Sequence, residues 1–294
     1  MGMARIILGE IFLAILVIGL VYAAVSPTLQ PTILPRLPIP WFAQGNRVVD
    51  RYSLIKGTNI SESVYFVNLN VTVNFGGISL TFSNRTDMVF DASFERVANT
   101  SQLEVSHSAV SSGVMQANFY GDNGGLNLTL GKNCQCGGSL FSKLGGVLID
   151  LGKYSNVSEL EVLIEYVGGA VVNVGDDASF ERLSFIIPVG GLQLNVDADR
   201  LSRSGVIEPF IHIGAFSIGV NVNTEQVGIG LDATVDTGRL TVNHPDFTGE
   251  VSATHCSVKT PGYSDAAKNL GIKANVGLGG GTLHSLQPIP GLRL

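Results

Sequence analysis

The feature that most limits how this chain can fold is an alternation of apolar and polar residues that dominates from residue 64 onward. Segments 192–197 and 227–236 carry an apolar side chain at every second position, with small polar residues or Gly between them. Successive side chains of a strand point to opposite faces, so each segment has one apolar face. Helical periodicity is absent outside the N-terminal segment, although Ser139–Leu151 and Tyr263–Leu270 could each form a short helix. The sequence predicts a nearly all-β body.

Glycine interrupts these strands at regular intervals. Gly191, Gly214 and Gly238 are 23 and 24 residues apart, and each is followed at once by an alternating strand. A period of this length is typical of stacked β architectures, in which each repeat is one supersecondary unit. We therefore expect a solenoid-like or meander β-repeat body with a shared core.

A six-residue sequence, Asp-Ala-Ser-Phe-Glu-Arg, occurs twice, at Asp91–Arg96 and at Asp177–Arg182. Upstream of each copy lies a strand that ends in Gly-Gly, at 71–77 and at 163–169. This repetition predicts internal duplication of a β unit. In each copy we expect the Phe in the core and the Glu-Arg pair in solvent, because charged residues are seldom buried.

The N-terminal region differs in kind from the rest of the chain. Ile6–Val25 is apolar apart from two glycines and Glu10, and its 20 residues just cover a hydrocarbon core of about 30 Å. We expect residues 1–25 to be a transmembrane anchor or a signal segment cleaved after Val21–Ala23. Residues 26–45 contain five prolines, which favour an extended, semi-rigid linker.

Six Asn-x-Ser/Thr sequons lie between residues 59 and 158, although Asn also occurs beyond them. They begin at Asn59, Asn70, Asn84, Asn99, Asn127 and Asn156. Sequons are glycosylation acceptors at the surface of exported chains. Their density predicts that the body lies outside the cell, single-pass at the membrane or secreted after signal cleavage. We expect a glycosylated β region over 46–158 and a β-repeat domain over 159–294.

The chain contains three cysteines, which is consistent with a location outside the cell. Cys134 or Cys136 could form a disulfide with Cys256, which would leave one odd thiol, or all three could remain free. The cysteines and a neighbouring His255 are too few ligands for a metal site to be predicted.

The second half of the chain combines a strand–turn–strand unit, Glu161–Ala170, with later short strands that end at Val242 and Ala253. In this pattern Leu160–Val276 resembles the toast-rack, or adhesin-type, β-repeat family of bacterial and archaeal envelope proteins. The resemblance implies short β-strands coiled into a solenoid-like slab that is tethered to a membrane segment. It also implies roles in surface adhesion or envelope-stress sensing, and it implies no catalytic residues.

The sequence contains no nucleophile elbow, no His-Glu-x-x-His pair and no P-loop. The formal charge of −6 is spread over a chain with 14% charged residues, so no basic stripe is available for nucleic acid. We therefore expect a non-catalytic, adhesin-like surface protein without cofactors. Its expected partners are the membrane, through the N-terminal helix, and other envelope proteins or copies of itself. The alternatives are a subunit of a secreted filament that assembles by strand addition, and a component of an envelope-stress sensor.

Overall fold

A computed structural model describes residues 46–58, 63–108 and 110–286 of the chain. These residues contain thirteen β-strands that form a single sheet. No helix within them is long and apolar enough to cross a membrane. The predicted anchor at 1–25 and the predicted linker at 26–45 lie outside the described residues.

In chain order the strands are β1 (Arg47–Ile55), β2 (Phe66–Ser83), β3 (Met88–Val97), β4 (Glu104–His107), β5 (Val114–Gly131), β6 (Gln135–Leu151), β7 (Val157–Val174), β8 (Phe180–Ala198), β9 (Gly205–Val222), β10 (Val227–Asn243), β11 (Thr248–Val251), β12 (His255–Lys259) and β13 (Lys268–Ser285). In the sheet they follow the order β1-β3-β5-β2-β6-β7-β8-β9-β13-β10-β12-β11, and β4 pairs with β5. The structure contradicts the short helices considered at Ser139–Leu151 and Tyr263–Leu270. Strand β6 occupies the first segment, and a turn followed by β13 occupies the second.

The central strands are parallel neighbours that are joined by very short connections. Strands β6 to β9 follow one another in the sheet, and only five or six residues link each to the next. A straight strand of 18 residues would be about 59 Å long, whereas six residues span at most about 20 Å. Each strand must therefore bend back on itself, with a longer first limb and a shorter second limb. The body is all-β, as predicted, and of the two expected arrangements, solenoid-like or meander, its central strands form a parallel solenoid.

The bends stack into one glycine column along the solenoid. From β5 through β10 in sheet order, its members are Gly124, Gly76, Gly145, Gly168, Gly190, Gly214, Gly279 and Gly238. Six of them have φ between 138° and 154°. From Gly76 onward, an added Cβ would lie 1.5 to 1.8 Å from the carbonyl oxygen of the preceding glycine. Only glycine fits such a bend, which explains the spacing of glycines in the sequence.

The apolar faces of the two limbs meet inside the coil and form the core. In β8 the inward side chains are Leu183, Phe185, Ile187, Leu192, Leu194 and Val196, none more than 3% exposed. Burial of each such side chain stabilises the fold by about 1.5–3 kcal/mol. The alternation in the sequence therefore predicted the inward face correctly.

The order of strands in space departs from the order along the chain at both ends. Strands β5 and β6 flank β2 on opposite sides, and β13 lies between β9 and β10. Gly214 and Gly238, whose spacing suggests adjacent coils, are therefore separated by Gly279. The sheet also runs without a break from β6 to β7, across the predicted boundary at residues 158 and 159.

Antiparallel strands cover the two ends of the solenoid, and a buried ion pair fixes one of these caps. The Arg96 side chain, 5% exposed, donates to the Asp50 carboxylate at 2.7 and 3.2 Å and so joins β3 to β1. It also donates to the Thr100 carbonyl oxygen at 2.8 Å. Asp50 further accepts from the Leu103 amide at 3.1 Å. These hydrogen bonds, led by that from Arg96, hold the pKa of Asp50 below its ordinary value.

The two copies of the repeated hexapeptide occupy different settings. Asp91–Arg96 lies wholly within antiparallel β3, whereas Asp177 lies in a turn with φ 59° and only the last three residues of its copy belong to β8. Phe94 and Phe180 are both fully buried, as expected. The expectation that both Glu-Arg pairs lie in solvent is wrong for Arg96, which the cap buries.

Candidate interaction surface

An outward row of apolar side chains runs beside the glycine column. We call it the apolar ridge; its members, each one residue before a bend glycine, are Phe75, Leu144, Val167, Val189, Ile213 and Leu278. Phe75, Leu144 and Ile213 are 43–44% exposed and Leu278 is 51% exposed, while the two valines are half-buried. The ridge crosses six adjacent strands and is about 24 Å long at a strand spacing of about 4.8 Å.

The bend itself does not require apolar residues at these positions. The register places Asn123 of β5 and Thr237 of β10 at the two ends of the same row, before Gly124 and Gly238. In β10, Gly238 has φ 142°, the same range as the other bend glycines, and the residue before it is polar. The six exposed apolar side chains therefore lower solubility and are not needed to form the bend. This pattern indicates a contact surface.

A second apolar row lies next to the ridge, on the outer face of the first limbs. We call it the apolar flank; its members are Phe141, Leu163, Ile186 and Phe210. Phe210 is 44% exposed, and its ring meets that of His212 at 4.7 Å between centroids. Tyr166, 55% exposed, lies at the ridge beside Val167. At about 200 Å² for a large side chain, ridge and flank together expose on the order of 600 Å², the upper end for a typical monomer.

This surface was not predicted from the sequence, although a signal for it is present. An apolar residue, a Gly and a small residue recur as a tripeptide at 75–77, 144–146, 167–169, 189–191, 213–215 and 278–280. Alternation identifies inward positions, whereas these residues stand just before a bend, where the alternation is interrupted.

Charged side chains line a shallow depression elsewhere on the first limbs. Arg182 contacts Glu208 at 2.5 Å, and Lys273 contacts the same carboxylate at 3.6 Å. Glu181, which also lines the depression, is contacted at 2.5 Å by Arg203 from the connection before β9. Such exposed pairs contribute little stability. Within the described ranges, no group of three or more His, Cys, Asp or Glu residues could hold a metal ion.

The outer face of the second limbs carries a ladder of hydrogen-bonded polar side chains. The Asn195 amide donates to the Asn173 side-chain oxygen at 2.8 Å, and the Asn173 amide donates to the Asp150 carboxylate. Thr81 and Thr129 share a hydrogen bond of 2.9 Å. These groups satisfy one another, so this face offers a partner fewer free hydrogen-bonding groups than its composition suggests.

The predicted glycosylation sites that the structure describes lie toward one end of the sheet. Asn70, Asn84, Asn99 and Asn127 are exposed on or next to β2, β3 and β5, and Asn156 is half-buried in the loop after β6. Asn59 lies outside the described residues. The exposed side chains are accessible to a glycan, and occupancy remains a prediction.

The three cysteines are buried and unpaired. Burial raises the pKa of each thiol. Cys256 on β12 lies six strand spacings, about 29 Å, from β6, which contains Cys136 and begins one residue after Cys134. A disulfide needs Cα atoms within about 7 Å. The fold therefore keeps Cys256 out of reach of both, contrary to the bridge considered from the sequence.

No protein-family profile matches the chain, and no curated protein matches it. Two solved structures align with most of its length. A candidate cell adhesion protein from Clostridium sporogenes is 13% identical, with 81% of this chain and 100% of that chain covered and a TM-score of 0.44. A candidate adhesin from Bacteroides fragilis is 9% identical, with 82% and 97% covered and a TM-score of 0.20. Both TM-scores lie below 0.5, so these likenesses carry no weight for function.

Proposed function

We propose that this chain is a non-catalytic, adhesin-like protein of the cell surface, whose solenoid presents the apolar ridge to a protein partner. The single observation that carries the proposal is the ridge itself. Six apolar side chains stand in register on the outside of the body, whereas the shallow depression on the first limbs carries paired charges and the outer face of the second limbs carries a polar ladder. Exposed apolar patches of this size mark interaction sites.

The proposal includes a location outside the cell, with residues 1–25 as the anchor and 26–45 as the linker. Its support is the position of the sequons. The described ones occur from β2 to the loop after β6, near the cap in which β1 begins at Arg47. Glycans there would shield the end of the solenoid that contains β1.

Peptide-resolved mass spectrometry of separated membrane and medium fractions tests the location. We expect an intact segment 1–25 in the membrane fraction, with glycans on the exposed sequons. A mature start near Ala24 in released material would favour a secreted protein. Unmodified sequons on a chain with an intact N-terminus would contradict the glycosylated surface location.

A cell–cell adhesion assay tests the ridge. Cells that display the Ile213→Ser, Leu278→Ser variant should adhere several-fold less than cells with the unchanged chain, because two of the most exposed apolar contacts are lost. Val251→Ser is the matched control, since Val251 is 50% exposed on β11, away from the ridge. Equal adhesion by both variants and the unchanged chain would contradict the proposal.

A filament subunit is the second candidate function. Within the described residues β1 pairs only with β3, so the other edge of this strand along residues 47–54 is available for strand addition. Val48 and Val49 on β1 are 37% and 49% exposed. Electron microscopy of released material would reveal filaments if this candidate is correct. The stress-sensor alternative remains a prediction from the sequence.

A further inference from the structure

We propose that the partner of the apolar ridge is a second copy of this chain, which packs ridge against ridge in antiparallel orientation. The inference rests on the proposed function, because it names the partner of the same surface. Three properties of the ridge lead to it: its spacing, the order of its side chains and the charges beside it.

The spacing of the ridge matches another copy over its whole length. Its side chains recur once per strand, about every 4.8 Å, over six strands. A second solenoid repeats at the same distance, so every contact can be in register. An α-helix repeats at 5.4 Å per turn and would be out of step by about 3 Å after five contacts. The ridge therefore suits a stacked β-sheet better than a helix.

The order of side chains along the ridge is close to symmetric about its centre. Large residues occupy both ends, and Val167 and Val189 occupy the middle, on β7 and β8. A two-fold axis between these strands would place Leu144 opposite Ile213 of the other copy, and one valine opposite the other. Tyr166, 55% exposed beside Val167, would fill the space that the smaller valines leave. Such an isologous interface is closed and yields a dimer.

The residues between ridge and flank favour antiparallel packing over parallel packing. By register, Lys143 lies on β6, Glu165 on β7, and Pro188 and His212 on β8 and β9. Parallel packing would bring Lys143 against Lys143 and Glu165 against Glu165 of the other copy, and like charges in contact are unfavourable. Antiparallel packing places Lys143 opposite His212 and Glu165 opposite Pro188.

The size of the surface indicates a weak, reversible dimer. Ridge and flank expose on the order of 600 Å², somewhat less than the roughly 800 Å² per partner of a standard interface. Copies held at one membrane would meet at high effective concentration, which compensates for modest affinity.

Site-specific cross-linking of the full chain in its own cells tests this arrangement. Two differently tagged chains, one Leu144→Cys and one Ile213→Cys, are produced together and treated with a short bismaleimide. The three native thiols are buried, so the introduced ones react first. We expect cross-linked pairs of unlike tags to exceed pairs formed when both chains carry Leu144→Cys by several-fold. Val251→Cys combined with Ile213→Cys is the control and should give no cross-link.

The other outcomes separate this inference from the proposed function. Preferential like-with-like cross-links at both positions would show parallel packing and overturn the antiparallel arrangement. Loss of adhesion in Ile213→Ser, Leu278→Ser cells, without any cross-link between copies, would mean that the ridge binds a different protein; the inference would fail while the proposed function stands. Neither cross-links nor an adhesion effect would overturn both. Cell-surface amounts and thermal unfolding of each variant establish that it folds.

Discussion

At the scale of single residues, the bend glycines show how closely adjacent coils approach one another. Two neighbouring glycines illustrate the difference between a position that must be glycine and one that need not be. Gly76 has φ 138°, and an added Cβ would lie 1.8 Å from the Gly124 carbonyl oxygen. At Gly77 the nearest atom to an added Cβ is the Gly146 carbonyl oxygen, at 3.5 Å.

Alanine substitution should separate these two roles. We expect Gly76→Ala to lower the free energy of unfolding by about 3 kcal/mol or more, because strained backbone and overpacking add. Gly77→Ala should change it by less than about 1 kcal/mol. Chemical denaturation of both variants measures the difference. Similar values for the two would contradict the close packing of the column.

The buried ion pair of the cap predicts a response to acid. The pKa of Asp50 is below its ordinary value of 3.8, so its contribution to stability is present above the unfolded pKa and is lost as pH falls through the folded one. At pH 7, Asp50→Asn should reduce the free energy of unfolding by about 1.5–3 kcal/mol, the worth of hydrogen bonds to a charged group. The difference between the variant and the unchanged chain should begin to shrink below about pH 4 and disappear once the pH is below the folded pKa of Asp50.

Unfolding measured at pH 7, 5 and 3 checks this expectation. Asp236→Asn is the control, since Asp236 is exposed on β10, far from the cap. A pH-independent difference between Asp50→Asn and the unchanged chain would mean that the loss is one of packing instead of charge.

At the scale of strands, the sequence predicted the kind of element and its inward face but not which strands are neighbours. The alternation at 192–197 identified Leu192, Leu194 and Val196 as buried, because side-chain direction in a strand is a local property. Neighbour order is not local. Gly238 follows Gly214 at the coil period, yet the fold places Gly279 between them.

The apolar ridge is not local either: its tripeptide recurs in the sequence, but the sequence does not show that the apolar residues form one row. Its members are spread over residues 75 to 278, and only the register of six strands brings them into one row. The repeated hexapeptide illustrates the converse: identical residues adopt different structures because β3 is antiparallel in a cap and β8 is parallel in the solenoid. Local sequence determines neither setting.

The position of β13 predicts the effect of a C-terminal truncation. A chain that ends at residue 267 lacks β13 and exposes the facing edges of β9 and β10. We expect β10 to stack directly on β9, because Gly214 and Gly238 have the spacing of successive coils. Hydrogen exchange should then show that the β9 amides remain protected. The free energy of unfolding should be lower than that of the full chain. Rapid exchange throughout β9 would contradict this rearrangement.

At the scale of the whole molecule, the solenoid is nearly one-dimensional, since each coil contacts only the coils next to it. Protection of backbone amides from hydrogen exchange should therefore decrease from the middle of the solenoid toward both ends. Every residue of β11 is exposed, and most of β1 is exposed or half-buried. We expect the slowest hydrogen exchange in β7 and β8 and the fastest in β1 and β11. Uniform protection from end to end would contradict this gradient.

The insertion of β13 also bears on how the protein acquires its fold during synthesis. The ribosome releases β9 and β10 before β13, and the 24 residues between Gly214 and Gly238 equal the spacing of Gly190 and Gly214. In that interval β10 has a ready template in β9. We predict that β10 first pairs with β9 and that β13, once it emerges, displaces β10 and pairs with both strands. The insertion of β13 would then be a strand exchange late in folding.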